Sequence, residues 1–276
     1  EKNNETQKTD IISGLLLVVG LLSLTYGAHE LIHIKEQPFL IIGSLVLSGV
    51  LLLSVFFRLR SVNNPLIDVQ IFRHRSLRIS NMVFIALGAF FIGFLFLISL
   101  MLQKDMDHSA ASAGLMLVPF SIVSALVAKF ILPHVSKRFN SSQMGILGWI
   151  FMLAGALFLL ISVYIGHPLT VVLLGAACIS GVGMTFCFTA LSVMGIQDVD
   201  PSDYGVASSL SSTSYFLGAG IGLSFMTLMS QIFPSEYAVS GLSLIILIGY
   251  ALSALGLLFY FIMKSIKSKK AEMAVS

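Results

Sequence analysis

The chain has 276 residues, 57% of them hydrophobic and only 11% charged, with a formal charge of +3 and a mean hydropathy of +0.96. Ordinary globular chains carry about 25% charged residues, so this composition excludes a soluble domain with a single core. The small positive excess is no argument for nucleic acid.

Residues 1–9 are polar and read as a cytoplasmic tail without fixed structure. The chain begins at Glu1 with no initiator Met and reads as a portion of a longer protein. A helix needs about 20 apolar residues to cross the hydrocarbon. Eight runs qualify, at 11–28, 38–57, 82–103, 113–132, 144–165, 168–195, 206–232 and 241–263. The prediction is an all-α polytopic membrane protein with eight transmembrane helices. The runs are too long for the strands of a β-barrel and lack their alternation.

Basic residues flanking spans mark the cytoplasmic side. Lys2, Lys8, Arg58, Arg60, Arg73, Arg75, Arg78, Lys137, Arg138, Lys264, Lys267, Lys269 and Lys270 all fall on one side of the predicted weave, leaving Lys35 and Lys104 on the other. Both termini are therefore expected in the cytoplasm, with the protein in the cell membrane. Lys129 lies near the inner end of the fourth run, where its stem can carry the ammonium to the headgroups.

Residues 10–58 form a helix pair. Its first run ends in His29-Glu-Leu-Ile-His33, which matches H-E-x-x-H, two His one turn apart that bind Zn with a Glu that activates water. An intramembrane metalloprotease also needs a distant third ligand. The best local sequence for one, Asp68 in Asn64-Pro-Leu-Ile-Asp68, falls on the opposite side, about 30 Å of hydrocarbon away. Glu36 could join His29 and His33 in an incidental external metal site, but the preferred reading of His29, Glu30 and His33 is a polar helix end. No metal, no cofactor and no enzyme activity are expected.

Residues 59–79 read as a cytoplasmic amphipathic linker, with Leu66, Ile67, Val69, Ile71 and Phe72 for the lipid and Arg73, Arg75 and Arg78 for the headgroups. Residues 80–264 hold the other six runs, and 265–276 a second cytoplasmic tail. Six spans are the content of one half of a major facilitator transporter, built as two inverted three-helix units. Pro119 kinks the fourth run, while Gly181 and Gly183 in the sixth and Gly218 and Gly222 in the seventh let backbones approach. The seventh run also carries Ser208, Ser209, Ser211, Ser212, Thr213, Ser214 and Tyr215. In lipid those hydroxyls need protein or a water-filled cavity beside them. Cys178 and Cys187 are nine positions apart on one helix, about 13 Å of rise, and read as packing residues.

Several stretches together carry a resemblance. One is Asn64-Pro-Leu-Ile-Asp68 followed by Ile71-Phe72-Arg73. A second runs from Gln103 through Ser109, Ala113-Gly114-Leu115 and Pro119 to Lys137-Arg138. A third runs from Gly181-Val-Gly183 through Asp200-Pro201 and Gly205-Val-Ala207-Ser208 to Leu217-Gly-Ala-Gly-Ile-Gly222. In this order they resemble the carboxyl-terminal part of the fourteen-span drug:proton antiporters of the major facilitator superfamily, over essentially the whole chain.

The resemblance implies that 10–58 is that family's extra helix pair and 80–264 its second half-bundle. It also implies export of amphipathic, often cationic drugs in exchange for protons, with a separate amino-terminal half as partner. Two departures stand out. Tyr215-Phe216 occupies the place where the family often has a basic residue, and Pro133–Asn140 is a degenerate copy of Gly-x-Leu-x-Asp-Arg-x-Gly with Lys137 in the acidic position. Lys137 and Arg138 then read as a plain cytoplasmic turn with an orienting charge.

Multidrug pockets are apolar and aromatic with few polar groups, and Met lets them re-pack. The substrate-cavity candidates are Phe90, Phe91, Phe94, Met116, Phe120, Met184, Phe186, Phe188, Ser211 and Tyr215. From residue 80 onward no Asp, Glu or His lies in the interior of a run. These spans are therefore expected to lack the proton carrier, which the resemblance places in the partner half. The alternative class is a non-transporting membrane subunit or truncation product.

Overall fold

The computed structural model describes residues 11–31, 34–61, 69–232 and 236–275. The tail 1–9, the Asn64–Asp68 motif, His33 and the side chain of His29 lie outside the described residues. Every described element is a helix or a short connection, and the chain divides into two compact units, Glu1–His74 and Arg75–Ser276.

In the first unit α1 (Ile11–Glu30) and α2 (Pro38–Ser61) pack together, and a 3-10 turn follows at Val69–Arg73. Small residues let the two helices approach. A Cβ on Gly20 would stand 3.1 Å from the Leu52 side chain, and one on Gly27 2.6 Å from the Ser44 hydroxyl.

The second unit starts with α3 (Arg75–Leu100), which runs on through a π-helical turn at Met101–Asp105. Then come α4 (Ala110–Leu126), a π-helical turn at Val127–Ile131 and α5 (Leu132–Val135), all one rod. Next are α6 (Ser141–Tyr164) and the rod made of α7 (Leu169–Ala176), a π stretch at Ala177–Gly183 and α8 (Met184–Ile196). The last two are α9 (Tyr204–Ile232) and α10 (Glu236–Val275). Short connections make successive rods antiparallel. One end of this unit therefore carries Arg75, Lys137, Arg138 and Lys264, and the other carries Asp105, Asp107 and His167.

The core is formed where α3 and α6 meet, with the Phe90 ring edge-on to Trp149 at 5.7 Å. Phe84, Phe94, Leu87, Met152 and Leu159 fill it, and none is more than 1% exposed. The most extensive pairings are α6 with the α7–α8 rod and α3 with α9; α6 with α10, α3 with α10 and α3 with α8 follow, and α4 packs chiefly on the π stretch of the α7–α8 rod. Exchanging the two three-helix sets maps these pairings onto one another, the arrangement two inverted units produce.

Each of the eight apolar runs coincides with one helical rod. Among the described residues, six stretches are long and apolar enough to cross a bilayer: Pro38–Arg58, Arg75–Asp105, Ala110–Val135, Ser141–Tyr164, Leu169–Ile196 and Gly241–Lys264. The other two expected spans fall short on this measure. The apolar part of α1 covers only Ile12–Ala28, and α9 carries the hydroxyl run.

Two boundaries differ from the sequence expectation. Arg75–Ile79 belongs to α3 rather than to a linker, because Leu77 and Ile79 are buried and the hydroxyls of Ser76 and the following Ser80 are hydrogen-bonded across to Asp198 and the Leu191 carbonyl. Arg75 itself lies over the Tyr260 and Phe261 rings at 5.5 and 5.2 Å, a cation–π contact. The expected unstructured tail from 265 is helical to Val275. Its Lys, Ala, Glu and Met are good helix formers, with no Gly or Pro to stop them.

Candidate functional site

The two sides of α9 differ. Ala207, Ser211, Tyr215, Gly218, Ala219 and Gly222 form the buried side against α3. A Cβ on Gly88 would meet the backbone of Tyr215 and Ala219, one on Gly218 the backbone of Ile85, and one on Gly222 the backbone of Ala89. The Ser211 hydroxyl donates to Asn81 Oδ1 at 3.0 Å inside this seam. Gly218 and Gly222 are thus contact points of the α3–α9 seam.

On the other side, Ser209, Ser212, Thr213 and Phe216 follow the i, i+3, i+4, i+7 spacing of one helical face, and all are exposed together with Ser208. Ser209 donates to the Gly205 carbonyl and Thr213 to the Ser209 carbonyl, each at 2.8 Å. Their donors are satisfied within the helix, while their oxygens remain able to accept.

An aromatic chain borders these hydroxyls. Phe188 of α8, 40% exposed, is edge-on to Phe84 at 5.5 Å and to Tyr215 at 5.9 Å. Tyr215 in turn meets Phe216, which is 70% exposed, at 5.4 Å. The result is a wall of ring edges and hydroxyl oxygens with no charge on it, on the surface of an otherwise apolar bundle.

The structure distributes the sequence candidates unequally. Phe188 and Tyr215 come together on this wall, with Ser211 directly behind it. Phe90 and Phe94 point into the α3–α6 core, and Phe91 is half-buried beside Phe94 with ring centroids 6.1 Å apart. Met116 and Met184 pack on the edge of that core and Phe120 lies within it. Phe186 belongs to a separate small cluster with Val127, Met144 and Ala190.

Pro119 is exposed on α4. A Cβ on Gly181 would press on Val123, and one on Gly183 on Met152 and the Gly148 carbonyl. Lys137 and Arg138 are exposed in the turn after α5, where the Arg138 N–H donates to the Val135 carbonyl at 3.0 Å. Lys129 is exposed and sits 5.4 Å from the Phe130 ring centre.

Three features escaped the sequence reading. Phe84 and Phe216 complete the aromatic chain; nothing local separated Phe84 from other phenylalanines of the bundle, and Phe216 stood out only as a departure from the family pattern. At the basic end Gln197 Nε2 donates to Ser76 Oγ at 2.9 Å, and Ser76 donates to Asp198. A cleft of about 920 Å³ opens beside them, lined by Leu132, Ser142, Thr189, Asp198 and Phe261 among others. None of the ten cavity candidates lines it. At the other end Asp105 and His167 meet inside the protein. Apart from the neighbours Tyr215 and Phe216, each of these contacts joins residues far apart in sequence, so no spacing announces them.

A chain of apolar helices with these crossing segments is a multi-pass membrane protein. The profile of the major facilitator superfamily matches residues 11–223, and the chain belongs to that superfamily, a family of transporters. It is 26% identical over 225 residues to the multidrug resistance protein Stp of Mycobacterium tuberculosis, covering 81% of this chain and 41% of that protein. It is 29% identical over 161 residues to the multidrug efflux pump LfrA of Mycolicibacterium smegmatis, covering 57% and 31%. With the probable transport protein HsrA of Haemophilus influenzae it shares 23% over 239 residues, covering 86% and 50%. The chain thus matches half or less of the length of each of these relatives.

Proposed function

We propose that this chain is part of a multidrug exporter that moves amphipathic, cationic compounds out of the cell in exchange for protons. In this reading all eight rods cross the cell membrane with both termini in the cytoplasm, a topology supported by the one-sided placement of thirteen Lys and Arg residues. The α1–α2 hairpin is the extra pair, and α3 to α10 are the second half. A further six-helix half, in the same polypeptide or a separate one, faces the wall on α8 and α9. The two halves rock about a midplane site, and protonation supplies the drive. The names of Stp and LfrA support drug export.

The observation that carries this reading is the exposed hydroxyl and aromatic wall. Polar groups facing hydrocarbon are costly, so such a surface belongs beside water or another helical half. Once covered, the rings offer π faces and edges to a flat cation and the hydroxyl oxygens accept from it, while the lack of fixed charge tolerates many shapes.

The test is ethidium efflux from cells producing this chain together with a complementary amino-terminal half. Losing one aromatic contact to a cation, as in Phe188→Ala or Phe216→Ala, weakens ethidium affinity about two- to fivefold, with a smaller effect on an uncharged drug. Wild-type ethidium affinity in both variants, or no efflux with any complementary half, refutes the proposal.

A further inference from the structure

Asp105 ends the π-helical turn that extends α3, and His167 sits in the short link between α6 and α7. Asp105 Oδ2 lies 3.4 Å from His167 Nε2, and their side chains are 8% and 4% exposed. This is a titratable pair more than nine-tenths buried, in a bundle whose other described carboxylates lie at the surface.

The backbone is shaped to bring the pair together. His167 has φ +54° and follows Gly166 at +82°, while Asp107, two residues after Asp105, has φ +56°. Non-glycine residues seldom adopt such angles, and they persist where the surroundings impose them. Here the His167 N–H donates to the Ser162 carbonyl at 2.7 Å, Met106 N–H to the Met101 carbonyl at 3.1 Å and His108 N–H to the Leu102 carbonyl at 3.0 Å. Lys104, Asp107 and Tyr164 of the same two segments point outward and are exposed.

We propose that Asp105 and His167 form a proton-binding site built into the six-helix unit. A proton from water at this end bonds to the imidazole nitrogen that faces Asp105, giving an imidazolium–carboxylate pair. Its return to water leaves a neutral imidazole beside a carboxylate, and no other bond changes. The proton belongs to the pair rather than to either residue.

Two opposite charges out of water attract, whereas a lone buried carboxylate seeks hydration. The two protonation states therefore favour different separations of the α3 end from the α6–α7 link. Among the described residues, the other titratable groups around the site are Lys104, Asp107 and His108 on its own segment and Tyr164 at the end of α6. The first turn of α4, residues 110–113, offers none. A role in transport rests on the proton-antiport reading. Proton binding itself does not.

The test is hydrogen–deuterium exchange of the purified chain in detergent between about pH 5 and 8, the interval in which histidine ordinarily changes charge, corrected for intrinsic rates. Segments 101–108 and 162–168 are expected to change protection about tenfold across it in the wild type, and to stay flat in His167→Gln and Asp105→Asn. Fluorescence of Trp149, the single tryptophan, reports that both variants keep the α3–α6 core. A flat wild type overturns the proposal. So does a pH response that survives His167→Gln, or one abolished by His108→Gln instead. In the assembled transporter, His167→Gln is expected to alter the pH profile of drug-driven proton flux. No flux in the wild type with the exchange response intact refutes antiport alone.

Discussion

Replacing Gly218 by Ala tests the α3–α9 seam directly. The added methyl would stand 2.7 Å from the carbonyl carbon of Ile85 and 2.8 Å from its Cα, whereas carbon atoms rest at about 3.5–4.0 Å. The obstacle is backbone, so no side chain can swing aside, and the helices must separate locally by about 1 Å. Lipid supplies no hydrophobic force to hold them together, and close packing is what they lose. Overpacking of this kind costs about 1–3 kcal/mol, which for a domain of this size lowers the melting temperature by about 2–10 °C. The control is Gly249→Ala on α10, where nothing lies within 4 Å of the new methyl and a gain of about 0.5–1 kcal/mol is expected from helix propensity. Thermal unfolding in detergent, read by Trp149 fluorescence, compares the two. The reasoning fails if Gly218→Ala melts at or above the wild-type temperature, or if both substitutions shift it in the same direction.

Three further outcomes follow from the same contacts. Ser211→Ala leaves buried Asn81 without the hydrogen bond it now accepts and is expected to cost about 1–3 kcal/mol; Ser211→Ala combined with Asn81→Leu should recover part of that in the same melting assay. Phe90→Ala removes a fully buried ring that touches Trp149, at about 3–5 kcal/mol, and should change the emission of the only tryptophan. Cysteines placed at Lys137 and at Lys104, in a background without Cys178 and Cys187, should react with an impermeant maleimide from opposite sides of the membrane. Labelling of both from one side would overturn the orientation drawn from the basic residues.

Helix content was readable from the sequence because lipid imposes one rule on every residue, that backbone polar groups be satisfied within the segment. Each apolar run accordingly became one rod. The ends were less readable, because Arg75–Ile79 looks like linker until Ser76 finds an acceptor on Asp198, more than a hundred positions away.

Aromatic candidates were the weakest part. Phe90, Phe94 and Phe188 are alike in composition and local surroundings, yet two are core and one stands on the surface, and only the azimuth of each rod decides which. The hydroxyl run of α9 is a signal of another kind, since a costly group in an apolar helix has few places to go. Asp105 and His167 gave no warning, because their meeting depends on two left-handed turns that no residue pattern marks.

The π stretch at Ala177–Gly183 has a consequence for the wall. Ser124 of the neighbouring rod donates to the Ser180 carbonyl at 2.9 Å and lies 2.8 Å from the Thr185 hydroxyl, and so spans the junction between the wide turns and the first turn of α8. A wide turn holds one residue more than an α turn, and each residue of an α-helix advances the helix by about 100°. Tightening the stretch by one residue would therefore swing Phe188 by about a quarter of a revolution and carry its ring off Tyr215. A single hydroxyl on a different helix thus acts as an indexing pin for the compass bearing of the aromatic wall.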